Sequence, residues 1–191
     1  PSEFVFYAKR AMRILAEDAI AELPSQSPLT ITTPTGTTTT GIELHTHTLC
    51  AVSIVRSGDA LVESVRDCLP GIPVGKILIQ RDETTREKKA KYLYSKLPPG
   101  VAQMDVLLCD PMLATGGSAK AAIRALVDLH GVSTDRIVFA NMITCPEGLG
   151  AMAEEYPEIK IVTVCVDECL NGDKFIVPGL GDYGDRFFNT V

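Results

Sequence analysis

No apolar run in this chain approaches the length needed to cross a bilayer, and no secretory leader pattern opens it. A membrane protein is therefore not expected, and the expected location is cytoplasmic. Basic charge is in deficit, with 18 Lys and Arg against 24 Asp and Glu for a formal net charge of −6. A nucleic-acid surface needs a basic face, so that class is disfavoured, although a small basic pocket for a phosphorylated substrate is not. The six cysteines contain no CxxC pair, and Cys165 and Cys169 have no matching second pair for a zinc site. Cys50, Cys109 and Cys165 lie within apolar runs, so buried reduced thiols of a cytosolic protein are expected. The chain opens on Pro1 rather than methionine, so a missing or processed N-terminal segment is expected.

What is present suits one globular domain over residues 1–191, with 46% hydrophobic and 22% charged residues. The chain is organised around Val106 to Gly131. Val106, Leu107, Leu108 and Cys109 read as a buried strand. Pro111 ends it and biases Asp110 away from helical dihedrals, leaving a carboxylate at the strand's carboxyl end. Thr115-Gly116-Gly117-Ser118 follows. Ile123, Leu126, Val127 and His130 then recur at helical spacing, with Gly131 as the stop. Strand, glycine-rich turn and helix start together make an anion site, because backbone N–H groups and the helix N-terminus both favour negative charge. The carboxylate would accept hydrogen bonds from hydroxyls attached to that anion, and a sugar phosphate supplies both. The string lacks the lysine of GxxxxGK[ST] and lacks GxGxxG, which weakens nucleoside triphosphatase and dinucleotide readings.

The string DPMLATGGSA closely resembles the phosphoribosyl pyrophosphate (PRPP) loop of the uracil phosphoribosyltransferase family, a branch of the type I phosphoribosyltransferases. Other branches usually carry two acidic residues where this chain has Asp110 and Pro111. The resemblance implies that Asp110, Pro111, Met112, Leu113, Ala114, Thr115, Gly116, Gly117 and Ser118 line the substrate site. Thr115 to Ser118 would take the 5′-phosphate and Asp110 the ribose hydroxyls.

From the start of the chain, Ser2 to Leu23 reads as a helix ended by Pro24. Leu29 to Glu43 is threonine-rich and reads as two short strands around a Pro34-Thr35-Gly36 turn. Ile31, Ile42 and Leu44 argue that those strands are packed. His45 and His47 alternate on a possible strand, but no third metal ligand is near in sequence, so they read as surface residues. Leu49 to Val55 is a buried strand, followed by Arg56-Ser57-Gly58 and a helix through Val62, Val65 and Leu69. A guanidinium at that strand end suits a pyrophosphate. The family's segment is Arg-Ala-Gly, so Ser57 is a departure that can alter the N–H geometry there.

Val74 to Gln80 is a third strand. The charged stretch after it reads as a solvated hairpin, with Tyr92 and Tyr94 on one face of the return strand. By resemblance, residues 81–96 form a mobile arm beside the active site, and Arg81 contacts PRPP. Arg136 to Ile143 and Ile159 to Val166 are further strands, with a helix from Glu147 to Tyr156 between them. Strands alternating with helices imply βαβ units, and ligands of such sheets lie outside the strands' carboxyl ends.

The last motif is FIVPGLGDYGDRFFNT, Phe175 to Thr190, whose glycines and proline make a shaped loop. It closely resembles the uracil-binding hood of the same family, here residues 170–191. By that resemblance Ile176, Gly181 and Tyr183 offer the base-binding groups and Asp182 faces PRPP. The family often has alanine or phenylalanine where this chain has Tyr183, and a ring pointing inward would narrow the pocket. The expected fold is thus α/β, a mostly parallel sheet flanked by helices with a small hood and a protruding hairpin arm. The expected reaction is uracil plus PRPP to UMP plus pyrophosphate, with Asp110, Arg81 and Asp182 as catalytic residues. Mg²⁺ would be carried mainly by PRPP, and no metal-binding residues of the protein's own are expected. A homodimer or homotetramer and a GTP effector are further implications of the resemblance. Other phosphoribosyltransferase specificities are disfavoured by the hood. A catalytically silent sensor of UMP, uracil or PRPP is the alternative, and it fits less well because Asp110 and Arg81 are both present.

Overall fold

The computed structural model describes residues 2–81 and 90–190, Arg81 by its backbone only. Apolar residues at three-and-four spacing form α1 (Ser2–Ala21), which buries Ala8, Met12, Leu15, Ala16 and Ala19. The threonine-rich stretch forms β1 (Gln26–Thr32) and β2 (Thr38–Leu44), paired antiparallel from Gln26–Leu44 to Thr32–Thr38. Gly36 sits at φ 81° in their turn. The strands are as expected, but their packing is not. Leu44 packs against the core, whereas Leu29, Ile31 and Ile42 are exposed. The reason lies in the topology: among the described residues the pair forms a two-stranded sheet of its own, separate from the main one. His45 and His47 lie in and beside a short 3₁₀ turn rather than on a strand, with His45 Nε2 3.0 Å from Ser27 Oγ.

The main sheet is built from β3 (Leu49–Val55), β4 (Val74–Arg81), β5 (Ala90–Lys96), β6 (Asp105–Cys109), β7 (Met112–Leu113), β8 (Ile137–Thr144) and β9 (Lys160–Val166). Strands β4, β3, β6, β8 and β9 lie side by side in parallel, and β5 runs antiparallel to β4. The short β7 resumes the lane of β6 along the end of β8. Between the strands come α2 (Gly58–Cys68), α3 (Gly117–Arg124) and α4 (Pro146–Glu155).

Central strands are buried on both faces, and successive residues serve opposite cores. Leu49, Ala51, Leu107, Cys109, Val138 and Ala140 pack with α1 and α2. Cys50, Val52, Ile54, Val106, Leu108 and Phe139 pack with α3 and α4. After α3 the chain continues through a π turn, Ala125–Leu129, which the helical spacing did not reveal. Gly131, at φ 70°, then ends it as expected.

Two sequence expectations need correction here. Tyr92 and Tyr94 do not share a face, because a β-bulge shifts the register between Leu78–Tyr94 and Ile79–Tyr92. Tyr92 packs inward with Ile79, while Tyr94 is exposed. Nor is Cys165 buried: it lies on β9, the sheet's outermost strand on that side, and is exposed with Cys169. Cys50, Cys109 and Cys145 are buried, and all six thiols are free.

The chain closes with a hood: β10 (Cys169–Leu170) pairs antiparallel with β11 (Ile176–Val177), and α5 (Tyr183–Phe188) follows. Among the described residues, no helix is long and apolar enough to cross a membrane.

Candidate active site

Three strand ends bring the sequence motifs together. Arg56 follows β3, Asp110 follows β6, and the loop ending at Gly116 leads into α3. All lie beyond the carboxyl ends of parallel strands, where open α/β sheets bind ligands. Asp110 is buried, and its Oδ1 accepts a hydrogen bond of 3.2 Å from Ser57 Oγ. Its own N–H donates to Ala140 at 3.2 Å, which fixes the backbone beneath the carboxylate. Pro111 offers its carbonyl to Met142 and Ile143 N–H at 2.9 and 3.1 Å. That double bond to β8 holds the loop's first turn against the sheet.

The rest of the loop is held by its carbonyls. Thr144 Oγ1 donates to Leu113 O at 3.0 Å, and the Cys145 thiol lies 3.6 Å from Ala114 O. Gly148 of α4 makes this approach possible: a Cβ there would stand 2.6 Å from both carbonyl oxygens. With those acceptors turned into the fold, the N-terminal turn of α3 faces the cleft with its N–H groups lacking intrahelical acceptors, and the Gly117 N–H makes a long bond of 3.5 Å to Thr115 Oγ1. Gly116 precedes the helix at φ 77°, a conformation that favours glycine. Lys120 and Arg124 of α3 bind Glu155 at 3.2 and 2.7 Å, tying α3 to α4. The Arg124 contact foremost holds the Glu155 carboxyl below its ordinary range.

The hood is tethered at several points. Glu147, in the first turn of α4, accepts from Leu170 N–H at 3.0 Å, and that bond foremost depresses its carboxyl pKa. Asp167 accepts from Gly179 N–H at 2.8 Å while its own N–H donates to Thr144 O at 2.8 Å. Asn171 Oδ1 accepts from the N–H groups of Asp173 and Phe175 at 3.0 and 2.9 Å, shaping the β10–β11 turn. Asp182 caps α5 by accepting from Asp185 N–H at 2.9 Å.

Two adjoining cavities result. The smaller, about 120 Å³, lies between the loop residues Met112, Ala114 and Thr115 and the hood residues Asp173 to Ile176 and Gly181 to Tyr183. The larger, about 470 Å³, takes in Ser57, Gln80, Asp110, Ser118 and Gly184. Met112, Phe175, Asp182 and Tyr183 line both. Of the sequence candidates, Asp110, Met112, Ala114, Thr115, Ser118, Ile176, Gly181, Asp182 and Tyr183 thus meet around one cleft. Pro111, Leu113, Gly116 and Gly117 form the loop's backbone rather than its walls. The Arg81 side chain and residues 82–89 of the expected arm lie outside the described residues.

Two candidates behave differently from the expectation. Tyr183 is 1% exposed, and its ring turns away from the cavities into the α1 core. It stacks on Phe187 at 5.7 Å, meets Phe4 edge-on at 5.5 Å, and its hydroxyl reaches Met12 sulfur at 3.2 Å. Burial pushes its phenol pKa up. The hood's aromatic contribution to the cavities comes instead from Phe175, half exposed and lining both. A phenylalanine at the head of the glycine-rich motif was the signal for it, and the motif alone did not mark it as a site residue. Arg56, expected to be open to a ligand, already touches the C-terminal segment. Its Nη2 lies 2.6 Å from Asp185 Oδ1 and its Nη1 2.9 Å from Thr190 Oγ1.

The sequence profile of the family described as "Uracil phosphoribosyltransferase" matches residues 1–190. The chain belongs to the uracil phosphoribosyltransferase family. It is 44% identical to a protein named uracil phosphoribosyltransferase from Dictyostelium discoideum, over 98% of this chain and 85% of that protein. It is also 42% identical to the uridine/cytidine kinase UKL1, chloroplastic, of Arabidopsis thaliana, but there it spans only 37% of the longer protein. Among solved structures, the AQ2163 protein of Aquifex aeolicus superposes with a TM-score of 0.76 at 30% identity, over 93% of this chain and 81% of that one. A purine phosphoribosyltransferase from Pyrococcus horikoshii superposes at 0.52 with 16% identity, over 74% of this chain and 75% of that one, a likeness of fold. The uracil phosphoribosyltransferase family thus accounts for the α/β architecture and for the order of the motifs.

Proposed function

We propose that this protein transfers the phosphoribosyl group of PRPP to uracil, giving UMP and pyrophosphate. The observation that carries the reading is the pair of adjoining cavities. A small one between the Met112–Thr115 loop and the hood shares Met112, Phe175, Asp182 and Tyr183 with a larger one that reaches Asp110. Uracil in the first cavity would present N1 to the anomeric carbon of a sugar in the second. The N1–C1′ bond forms, the C1′–oxygen bond to pyrophosphate breaks with its electron pair leaving on that oxygen, and the N1 proton passes to the departing pyrophosphate or to water. The protein's work is placing two substrates in line and stabilising the departing charge.

Thr115, Gly116, Gly117 and Ser118 take the 5′-phosphate at the start of α3, where N–H groups without intrahelical acceptors and the helix dipole favour an anion. Asp110 accepts from the ribose hydroxyls, and Arg56 and Arg81 take the pyrophosphate as fork-like donors. Ile176, Gly181 and Tyr183 read the base through backbone groups, since the Tyr183 ring faces the core. Asp182 faces the PRPP side. Mg²⁺, when bound, neutralises pyrophosphate charge. The two carboxylates lining the larger cavity, Asp110 and Asp182, fit an ion carried in on substrate oxygens, which needs only one or two protein ligands. The family resemblance extends the reading to a cytoplasmic homodimer or homotetramer with GTP as effector, tested by sedimentation and by GTP titration of the rate.

The deciding assay offers purified protein PRPP and Mg²⁺ with uracil, cytosine, hypoxanthine or adenine separately. UMP and pyrophosphate in equal amounts, from uracil alone, are expected. Tight binding of PRPP without turnover of any base would replace this reading with that of a silent sensor.

A further inference from the structure

The C-terminal segment makes a clamp around Arg56. Asp185 Oδ1 stands 2.6 Å from Arg56 Nη2, and Thr190 Oγ1 stands 2.9 Å from Nη1. The two clamp groups are themselves joined: Thr190 Oγ1 donates to Asp185 Oδ1 at 2.7 Å, and Thr190 N–H donates to Asp185 O at 3.1 Å. The guanidinium carbon lies 5.7 Å from the centre of the Phe188 ring. Gly184 leaves room beside the guanidinium, since a Cβ there would stand 3.2 Å from Arg56 Nη2, a tight contact. Asp185 in turn is fixed from behind, because its N–H donates to the capping carboxylate of Asp182.

This arrangement joins two parts of the site that lie far apart in sequence. Asp182 and Gly184 line the larger cavity, and Gly181 and Asp182 the smaller. Arg56 immediately precedes Ser57, which bonds Asp110. The hood that shapes the base cavity therefore also sets the direction of the arginine at the end of β3. The clamp does not consume that arginine. Each terminal guanidinium nitrogen carries two N–H groups, and each bond to the clamp uses one. The Arg56 side chain remains 48% exposed, so the other N–H groups are open to an incoming anion.

We infer that Asp185 and Thr190 are positioning residues that orient the Arg56 guanidinium toward the pyrophosphate of PRPP, coupling the base-binding hood to the leaving-group site. The inference rests on the proposed phosphoribosyl transfer. A planar fork recognises a phosphate only when its N–H groups are aimed at it, so a guanidinium released to rotate loses directed bonds while keeping its charge.

The test is steady-state kinetics of Asp185→Asn, Thr190→Val, Arg56→Gln and the double variant Asp185→Asn with Arg56→Gln. Asp185→Asn is expected to raise KM for PRPP about tenfold, the scale of one directed hydrogen bond lost. KM for uracil should stay within about twofold, because the hood keeps its Asp182 cap and its Asp167 tether. In the reverse direction KM for pyrophosphate should rise while KM for UMP does not. The double variant should be no worse than Arg56→Gln alone, since a residue acting through Arg56 has nothing left to position.

Unchanged KM for PRPP in Asp185→Asn, beside a raised KM in Arg56→Gln, overturns the inference. So does an equal rise of both KM values with a lowered melting temperature, which would mark a structural role. Should wild-type protein form no UMP, the functional reading fails by itself, and titration calorimetry with magnesium pyrophosphate still decides the clamp. Weaker binding to Asp185→Asn than to wild type supports it, and equal binding overturns it.

Discussion

Ser57 donates its hydroxyl hydrogen to Asp110 Oδ1 at 3.2 Å, linking the turn after β3 to the carboxylate after β6. The bond comes from the position where the family's segment carries alanine, so it is an addition to the site. A hydrogen bond to a carboxylate contributes ~1.5–3 kcal/mol at ordinary geometry and less at 3.2 Å, whereas loss of the Asp110 charge weakens this bond and also those to the substrate hydroxyls, at ~1.5–3 kcal/mol. Ser57→Ala should therefore leave kcat/KM for PRPP within roughly tenfold of wild type. Asp110→Asn should lower it by roughly 10- to 150-fold with the fold intact. Equal losses in the two variants would mean that Asp110 does not meet the sugar.

Tyr183 supports the hood from behind. Tyr183→Ala removes a fully buried ring from the α1 core and should cost ~3–5 kcal/mol of stability. Tyr183→Phe removes a contact to sulfur, a weak acceptor, and should cost less than ~1 kcal/mol. Because the hydroxyl faces Met12, the Phe variant should still reject cytosine. Denaturant melts and a two-base competition assay check both halves, and cytosine use by Tyr183→Phe would show that the hydroxyl reads the base.

Gly179 adopts φ 59°, and a Cβ there would stand 2.0 Å from Ile176 O. Alanine must therefore displace the loop between Ile176 and Gly181, which lines the smaller cavity. Gly179→Ala is expected to raise KM for uracil roughly tenfold with little change in KM for PRPP, since the Asp110 and Thr115 side of the cleft is untouched. Substrate-saturation curves for each substrate separate the two outcomes.

Thiol reactivity tracks burial. Cys165 and Cys169 are exposed and should label in the native protein, Cys68 more slowly. Cys165 should lag Cys169, because its thiol lies 3.3 Å from Asp167 Oδ1, a bond that raises its pKa. Cys50 is held as a thiol up to about 12 by burial, and burial likewise raises Cys109. These two and Cys145 should label only on unfolding, as peptide mass spectrometry of timed samples will read.

The sequence made the strand-turn-helix units legible because apolar runs and glycine turns are local signals. The βαβ character of the chain and the placing of Asp110 at a strand end followed from them, while the order of the strands in the sheet did not. What stayed hidden depends on contacts between distant segments. Nothing near Asp185 in sequence announces Arg56, and nothing in Tyr183 says which way its ring turns. Strand pairing decided two further points: a bulge separated Tyr92 from Tyr94, and an edge position exposed Cys165. The π turn at Ala125 keeps the apolar spacing of an ordinary helix, so periodicity alone could not reveal it.

The β1–β2 hairpin carries a kinetic consequence. Its ladder runs the full length of both strands, yet among the described residues it pairs with no other strand, and Leu29, Ile31 and Ile42 are exposed. Within it, cover is local, as where Ile31 lies over Gly41. A lone hairpin is marginally stable in water, so its amides can open without the rest of the molecule. In deuterated buffer the amides of Ile31 and Thr39 should exchange long before those of Leu107 and Val138, whose strands open only when the whole domain does. Any contact that covers the hairpin would appear first as slowed exchange there, with the central sheet unchanged.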